Sequence, residues 1–358
     1  MRFFCFIFVC SSLVSVSGDL YALGLNSDIK ENVDLDLYGQ VNQALMISDD
    51  GNSTDSYIVD NGNSPTRVGL RAEYHFDQEY TAGVHFEVGY SSNSSILVTQ
   101  QDRTQSAEFR ERHGNVYLKS PFGKLSLGQG DGAANSNIQT DLSGTWIVGP
   151  TLLGSSLNFQ DKLGAVGPRY GAVLSNQDFE SRYDRLRFDL PALGVLKMAV
   201  SQGVKDEGSD VTEVGGRAIF DVQGKLALAF GYSTKDTDTI AKDKSTIGGS
   251  VSWLHDSGFN LTGAYSKVSD DVPDTPDSKY FMYKVGYKTG KHAVALRYDI
   301  TYDLDQEDDE ASSISVGYVF NPINKIDVYA GYGINSLDRN AADFQDIDVV
   351  TLGSRIKF

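Results

Sequence analysis

Cysteine is almost missing from this chain of 358 residues, since Cys5 and Cys10 are its only two. The sequence after residue 10 therefore offers neither a disulfide framework nor a thiolate metal site. Proline is also scarce, with 8 residues. After residue 16 no apolar run approaches the roughly 20 residues that a membrane-spanning helix needs. These absences exclude a disulfide-stabilised secreted domain and a bundle of membrane helices.

The one long apolar run, Phe3 to Val16, follows Arg2 and is followed by the small residues Ser17 and Gly18. This arrangement predicts a secretory signal peptide over residues 1–18, with cleavage after Gly18 or, as a second choice, after Ala22. The mature chain, 19–358, would then contain no cysteine. An N-terminal membrane anchor is the alternative, but the run is shorter than a membrane span.

Basic residues are outnumbered, with 31 Lys and Arg against 48 Asp and Glu, and the formal net charge is −17. A nucleic acid is therefore not expected as a partner, because phosphate binding needs a basic surface. The acid is concentrated in 49–60, 270–277 and 303–310. The last run begins like a calcium loop but lacks the glycine and the glutamate that such a loop requires at its sixth and twelfth positions. A solvated surface is the preferred interpretation, and no metal site is predicted.

What the chain does contain is a side-chain period of two, which is typical of strands with two different environments. In the last segment, for example, Val350, Leu352 and Ile356 alternate with Thr351, Gly353 and Arg355. Most segments have about nine to twelve residues, the length of a tilted strand that crosses a bilayer. Sixteen such segments are found, at roughly 33–47, 65–76, 80–91, 109–120, 123–130, 182–190, 194–202, 212–221, 225–234, 245–255, 259–267, 279–289, 291–302, 311–321, 325–335 and 346–358.

The connections between these segments alternate between short turns and long polar loops, which is the pattern of outer-membrane barrels. The sequence therefore predicts an all-β fold, a transmembrane antiparallel 16-stranded β-barrel. The closing segment is expected to pair with the first, over Leu35 to Leu45, so that no strand edge remains free. The connection at about 131–181 is much longer than the others, and a loop of that length is usually functional. Its mixture of apolar and small residues predicts that it folds into the lumen.

Four stretches resemble the general diffusion porins of Gram-negative outer membranes: L-Y-G-Q-V-N-Q-A-L at 37–45, R-V-G-L-R-A-E at 67–73, S-P-F-G-K-L-S-L-G-Q at 120–129 and T-L-G-S-R-I-K-F at 351–358. The resemblance covers nearly the whole mature chain. It implies a homotrimer in the bacterial outer membrane, in contact with lipid and lipopolysaccharide. It also implies passive diffusion of small hydrophilic solutes and ions, with the third loop as a constriction and no cofactor.

The resemblance also places basic side chains on the wall that faces this loop. By motif, Arg67 and Arg112 match two of them, and Arg182 or Arg185 matches a third. Antiparallel pairing through the short turn at 77–79 would set Arg71 opposite His85 and Glu73 opposite Gly83. One lumenal face would then carry Arg67, Arg71, Glu73, His85 and Glu87, whereas strict alternation would turn Arg112 away from the lumen. Charges on this face are expected to bias ion entry, or to stiffen the barrel as a lattice of salt bridges. Asp141 is the one acid between Gly132 and Gln160 and is the expected loop charge at the constriction.

Other functions remain open at this stage. A solute-specific porin for sugars or phosphate is one alternative, and a barrel that acts mainly in adhesion or envelope anchoring is another. The acidic loops could hold divalent ions that bridge to lipopolysaccharide phosphates. Phe358 resembles the terminal aromatic that the outer-membrane assembly machinery reads. No enzyme is expected, because the histidines lack a metal-binding spacing and nothing local marks a Ser–His pair.

Overall fold

The structure is a computed structural model that describes residues 32–149, 153–206, 208–237, 243–271, 276–340 and 342–358. The predicted signal peptide, 1–18, lies outside these residues. Within the described parts of the chain, no helix is long and apolar enough to cross a membrane.

Sixteen antiparallel strands form the wall of a closed barrel, as predicted, and they are labelled β1 to β16 in chain order. They are β1 (Val33–Asp49), β2 (Arg67–His75), β3 (Thr81–Ser91), β4 (Glu108–Ser120), β5 (Gly123–Asp131), β6 (Arg182–Asp189), β7 (Leu196–Lys205), β8 (Ser209–Asp221), β9 (Gly224–Asp236), β10 (Lys244–His255), β11 (Phe259–Asp270), β12 (Ser278–Thr289), β13 (His292–Tyr302), β14 (Glu310–Ile323), β15 (Ile326–Arg339) and β16 (Ile347–Lys357).

Several short elements lie in the long loops at one end of the barrel. The strand Thr54–Asp60 pairs with β1, and Ala342–Asp343 pairs with the end of β15. The connection between β5 and β6, residues 132–181, is the third loop. It contains a 3-10 turn (Trp146–Val148), a small hairpin (Asn158–Gln160 with Val166–Arg169) and one helical turn (Tyr170–Val173).

The barrel closes where β16 pairs with β1, in a register that runs from Gln40 opposite Lys357 to Asp49 opposite Asp348. The predicted pairing of the two ends is thus confirmed. Phe358 continues the seam, because its N–H donates to the Gly39 carbonyl (3.0 Å) and its carbonyl accepts from the Gly39 N–H (3.1 Å). The Phe358 ring lies on Gly39, where a Cβ atom would be 2.5 Å from the ring. Glycine at position 39 therefore makes room for the terminal aromatic.

The side chains alternate around this wall as the sequence predicts. On β13, Val294, Leu296 and Tyr298 are 38–49% exposed on the outer surface, whereas Arg297 and Asp299 are almost fully buried inside. A water-soluble protein would reverse this arrangement, but a barrel in lipid presents its apolar band outward and its polar residues to the lumen. The closed ladder also satisfies the backbone hydrogen bonds that lipid cannot.

The third loop folds into the barrel and lies on the inner surface of β7 to β13. Its backbone N–H groups donate to wall hydroxyls, for instance from Ala133 to Ser201 (2.8 Å) and from Leu142 to Ser252 (2.9 Å). Small hydroxyl side chains on the inner face let the loop backbone approach the wall and supply the acceptors that it needs.

Further along, the loop packs against β14 and β15 through Val148. A Cβ atom at Gly317 or Gly331 would lie 2.4 or 3.3 Å from Val148, so these two glycines leave the space that the loop fills. The carbonyl of the neighbouring Ile147 accepts a hydrogen bond from Asn61 Nδ2 (3.0 Å). The loop is therefore held on both sides of the lumen.

Candidate functional site

A basic cavity of about 480 Å³ lies on the inner surface of β2 to β6, the part of the wall that the third loop leaves open. It brings together all five arginines that the sequence suggested. Of the described residues that line it, seven are cationic, three are carboxylates and two are histidines: Arg67, Arg71, Arg112, Lys124, Arg182, Arg185 and Arg187; Glu87, Asp131 and Asp189; His85 and His113.

The β2–β3 register produces the first part of this cavity. Arg71 lies opposite His85, and Glu73 lies opposite Gly83, as the alternation predicted. Arg71 Nη1 is 3.7 Å from a carboxylate oxygen of Asp36, and its guanidinium lies 4.5 Å from the centre of the Tyr38 ring. These weak contacts leave the Arg71 charge half-exposed to the lumen, where it can act on passing ions.

Arg112 faces the lumen because of a β-bulge. The β3–β4 register pairs Glu87 with His113 and then Val88 with Glu111, so Arg112 is the extra residue. A bulge re-aims the side chains that follow it, and the Arg112 guanidinium consequently binds the Glu87 carboxylate. Strict alternation predicted that Arg112 faces away from the lumen. This prediction is wrong, because a single extra residue in β4 reverses the order of inward and outward side chains.

Three arginines on β6 complete the cavity. Arg185 donates to the carbonyls of Asp131 (2.8 Å) and Gly128 (2.7 Å), which fixes its guanidinium along the wall. Arg182 follows Ser181, whose φ of 61° lies in the left-handed region, and its Nε is 3.0 Å from Asp131 Oδ1. Both candidates for the third arginine therefore line the same cavity.

Sequence reasoning missed Arg187 and Lys124. Arg187 has the parity of Arg185, so alternation along R-Y-D-R-L-R-F would have identified it. It binds Asp189 (2.7 Å) and the Gly132 carbonyl (2.7 Å) at the start of the third loop. Lys124 sits 4.5 Å from the centre of the Tyr117 ring, a cation–π contact between side chains on neighbouring strands that no sequence signal marks.

Two histidines stack in the middle of the arginines. The rings of His85 and His113 have centroids 4.2 Å apart and planes inclined by 20°. Tyr38 donates its one proton to the Glu87 carboxylate (2.7 Å), so His85 Nε2, 2.7 Å from the same hydroxyl oxygen, must carry a hydrogen. The tautomer of His85 is thereby fixed.

Asp141 lies at a different place from the one expected. Its carboxylate is buried against β12, 2.6 Å from Lys284 Nζ, and it accepts the Ser143 N–H at 2.8 Å. Burial opposes ionisation, but the Lys284 charge and these hydrogen bonds hold the pKa of the Asp141 carboxyl below its ordinary value. The charge is neutralised at the wall and does not face the basic cavity, which differs from the constriction role expected from the sequence.

A second buried network lies beside this pair. Arg297 binds Asp299 through two guanidinium nitrogens (2.6 and 2.8 Å) and contacts the Tyr280 hydroxyl (3.2 Å). Trp146 of the third loop lies over its guanidinium, 4.8 Å from the ring centre. The tip of the loop is therefore attached to the wall by one ion pair and one cation–π contact.

Two carboxylates hold the ends of the third loop together. Asp178 accepts the N–H groups of Ser136 (2.8 Å) and Ile138 (3.2 Å). Glu213 on β8 accepts those of Ala134 and Glu180, each at 3.0 Å. Burial raises the pKa of Asp178 to about 7, against the opposing effect of the two N–H groups. The protonation state of Asp178 thus changes near neutral pH.

A sequence profile of Gram-negative porins matches residues 11–340. The chain belongs to the Gram-negative porin family. A comparison with curated protein sequences finds no match. The predicted resemblance is confirmed, and the protein is an outer-membrane diffusion channel.

Solved structures of other porins share this fold. The anion-selective porin from Comamonas acidovorans is 17% identical, with a TM-score of 0.63 over 91% of this chain and 100% of that one. OmpT of Vibrio cholerae is 15% identical, with a TM-score of 0.61 over 93% and 99%. Salmonella typhi OmpF, in a complex with daunomycin, is 15% identical, with a TM-score of 0.59 over 92% and 99%. At these identities the likeness concerns the fold.

Proposed function

We propose that this porin is an anion-preferring channel for small hydrophilic solutes. The observation that carries the proposal is the charge of the basic cavity, where seven cations face three carboxylates among the described lining residues. The third loop does not offset this excess from the other side, because Asp141 is paired with Lys284 at the wall. An anion in the passage would therefore meet about four uncompensated positive charges.

The formal charge of the whole chain, −17, has the opposite sign. The densest acidic run of the chain, 303–310, forms the exposed loop that joins β13 to β14. Charges farther apart than about 8–10 Å are largely screened near physiological salt. We expect the arginines beside the passage to decide the ion preference, and the loop carboxylates to contribute mainly at low salt.

A reversal-potential measurement in a KCl gradient across a planar bilayer tests this proposal. The folded porin should pass chloride in preference to potassium. Asp308→Asn removes one charge from the exposed loop, far from the arginines, and should leave the reversal potential unchanged at high salt. A reversal potential of the cation-selective sign at high salt would contradict the proposal.

The proposal includes a homotrimer. The strands β5 and β6 that flank the third loop have 9 and 8 residues and are short for this barrel. On their outer side Gln129 lies opposite Asp184, and polar side chains facing lipid are costly. A neighbouring subunit would cover them. OmpT of Vibrio cholerae is described in a trimer form.

A cysteine at position 184 should cross-link between subunits, whereas one at Val285 should not, and cross-linking at neither position would remove this interface.

The same proposal covers export and assembly. It includes a signal peptide at 1–18, contact with lipid and lipopolysaccharide, and recognition of Phe358 by the outer-membrane assembly machinery. It assigns the porin no catalytic role. Mass spectrometry of the exported protein would give the cleavage site. A correctly folded trimer without conductance would instead favour a role in adhesion or anchoring.

A further inference from the structure

A groove of about 570 Å³ lies on the outer surface of the wall, across β10 to β14. Its volume is within the range of about 300–1,000 Å³ that is typical of small-molecule sites. One row of residues that pair from strand to strand runs along it: Val251, Gly263, Tyr283, Tyr298 and Ile314. Gly263 is the one member of this row without a side chain, so the wall is indented there.

Two other glycines on the outer face are covered by the chain itself. The Phe358 ring lies on Gly39, where an added Cβ atom would be 2.5 Å from it. The Phe230 ring lies on Gly216 in the same way, at 2.3 Å. At Gly263, apart from its chain neighbours, no atom of the described residues would be nearer than 3.8 Å. Because a surface without partner atoms forfeits its dispersion contacts, this space calls for a molecule from outside the chain.

The groove rises from one end of the barrel toward its middle. Val251 is four residues from the end of β10 at His255, whereas Ile314 is nine residues from the end of β14. At the low end, the rings of Trp253 and His255 have centroids 5.1 Å apart, beside the short turn that follows β10. Tryptophan is enriched at the membrane–water interface. A groove that leads from this interface into the apolar band matches the course of an acyl chain.

We propose that the groove binds one acyl chain of a phospholipid, with the headgroup at Trp253 and the methyl end toward Ile314. The groove is continuous with the apolar band that faces lipid, so acyl chains surround it. A neighbouring subunit is the other apolar body within reach. The proposed subunit interface, however, lies at β5 and β6, on the opposite side of the sixteen-stranded wall, and the choice of occupant rests on that interface.

Tryptophan fluorescence tests this inference, because the chain has only two tryptophans, Trp146 and Trp253. Trp146→Phe leaves Trp253, at the low end of the groove, as the single emitter. The folded porin is reconstituted with a phospholipid whose acyl chains carry bromine, which quenches tryptophan on contact, and is then diluted into excess detergent. Lipid that merely surrounds the barrel is replaced by detergent, whereas a chain held in the groove stays. Most of the Trp253 quenching should therefore persist.

A second emitter on the outer face gives the reference for lipid outside the groove. Phe220 is the last residue but one of β8 and is 37% exposed. Phe220→Trp, combined with Trp146→Phe and Trp253→Phe, places the emitter at the same end of the wall. The quenching of this emitter should be lost on dilution.

Filling the groove should remove the bound chain. The backbone at Gly263 is outside the left-handed region, so Gly263→Leu introduces a side chain without backbone strain. With this substitution the Trp253 quenching should also be lost on dilution. Ala330→Leu is the matched control, since it adds a similar bulk to the outer face of β15, outside the groove, and it should leave the retained quenching unchanged.

The comparison of the two emitters leaves Gly263 in place and so does not depend on whether Gly263→Leu folds. If both emitters lose their quenching alike on dilution, the inference is overturned. Retained quenching that survives Gly263→Leu would overturn the assignment to this groove. Cross-linking of subunits through a cysteine at Val285, which lines the groove, would make a second copy of the chain the occupant. Displacement of the brominated lipid by lipopolysaccharide alone would overturn the choice of a phospholipid.

Discussion

Breaking the ion pair between Asp141 and Lys284 should release the tip of the third loop. The two side chains are 1% and 3% exposed, and their charged atoms are 2.6 Å apart. Lys284→Met would leave the Asp141 carboxylate buried without its counter-ion. Removing one partner of a buried pair costs about 3–5 kcal/mol, which shifts the docking equilibrium of the loop by more than about a hundredfold.

The assay is hydrogen exchange of residues 132–149 in the folded porin, combined with single-channel recording at high salt. Lys284→Met should accelerate exchange at Leu142 and Ser143 and increase the open-channel noise. Asp141→Asn combined with Lys284→Met removes both charges and keeps an amide oxygen for the Ser143 N–H. Because replacing both partners of a buried pair is often close to neutral, the double variant should recover much of the protection.

The control is Lys267→Met on β11. Its Nζ is 2.5 Å from Asp277, but the two side chains are 33% and 41% exposed. Surface pairs of this kind are worth about 0–1 kcal/mol, so exchange in the loop should not change. Wild-type exchange and noise in Lys284→Met would refute the reasoning, because the loop would then be held by its other contacts alone.

Three further predictions concern selectivity, assembly and pH. Replacing Arg67 and Arg71 with Gln should move the reversal potential toward cations at high salt, and an unchanged potential would remove β2 from the selectivity site. Deleting Phe358 should lower the yield of heat-modifiable folded porin severalfold, while Phe358→Tyr should fold normally; equal yields for all three forms would show that the residue is dispensable. Because the pKa of Asp178 is raised to about 7, docking of the third loop is coupled to proton uptake by Asp178. The free energy that favours docking should therefore decrease as pH rises through about 4–7 and stay constant above that. Asp178→Asn should flatten this dependence of exchange protection at Ser136, whereas Asp161→Asn in the exposed hairpin should not.

Local patterns were enough to predict the strands and the closure of the barrel. The alternation on each strand reflects a wall with lipid on one side and the lumen on the other, and a period of two is visible in a single sequence. For the same reason the β2–β3 register could be predicted, since the short turn at 77–79 leaves little freedom in the pairing of Arg71 with His85.

Alternation failed where the backbone departs from a regular strand. The bulge at Arg112, opposite Glu87 and Val88 of β3, turns the Arg112 side chain into the lumen, and the left-handed φ of Ser181 precedes Arg182. The family resemblance placed both residues near the constriction, but nothing in the periodicity did. A bulge is a property of two paired strands, so it is not encoded in the spacing of either strand alone.

By itself, the sequence determined that this chain is a sixteen-stranded barrel with a long loop folded inward, because hydrophobic alternation and loop length are local properties. Only the tertiary structure decided which charges line the basic cavity. Asp141 and Lys284 are 143 residues apart, and their pairing removes from the lumen the acid that the sequence placed there. The five neighbouring strands β2 to β6 bring Arg187 and Lys124 beside the other arginines, since the sign of the lumenal charge depends on which side chains meet across the barrel.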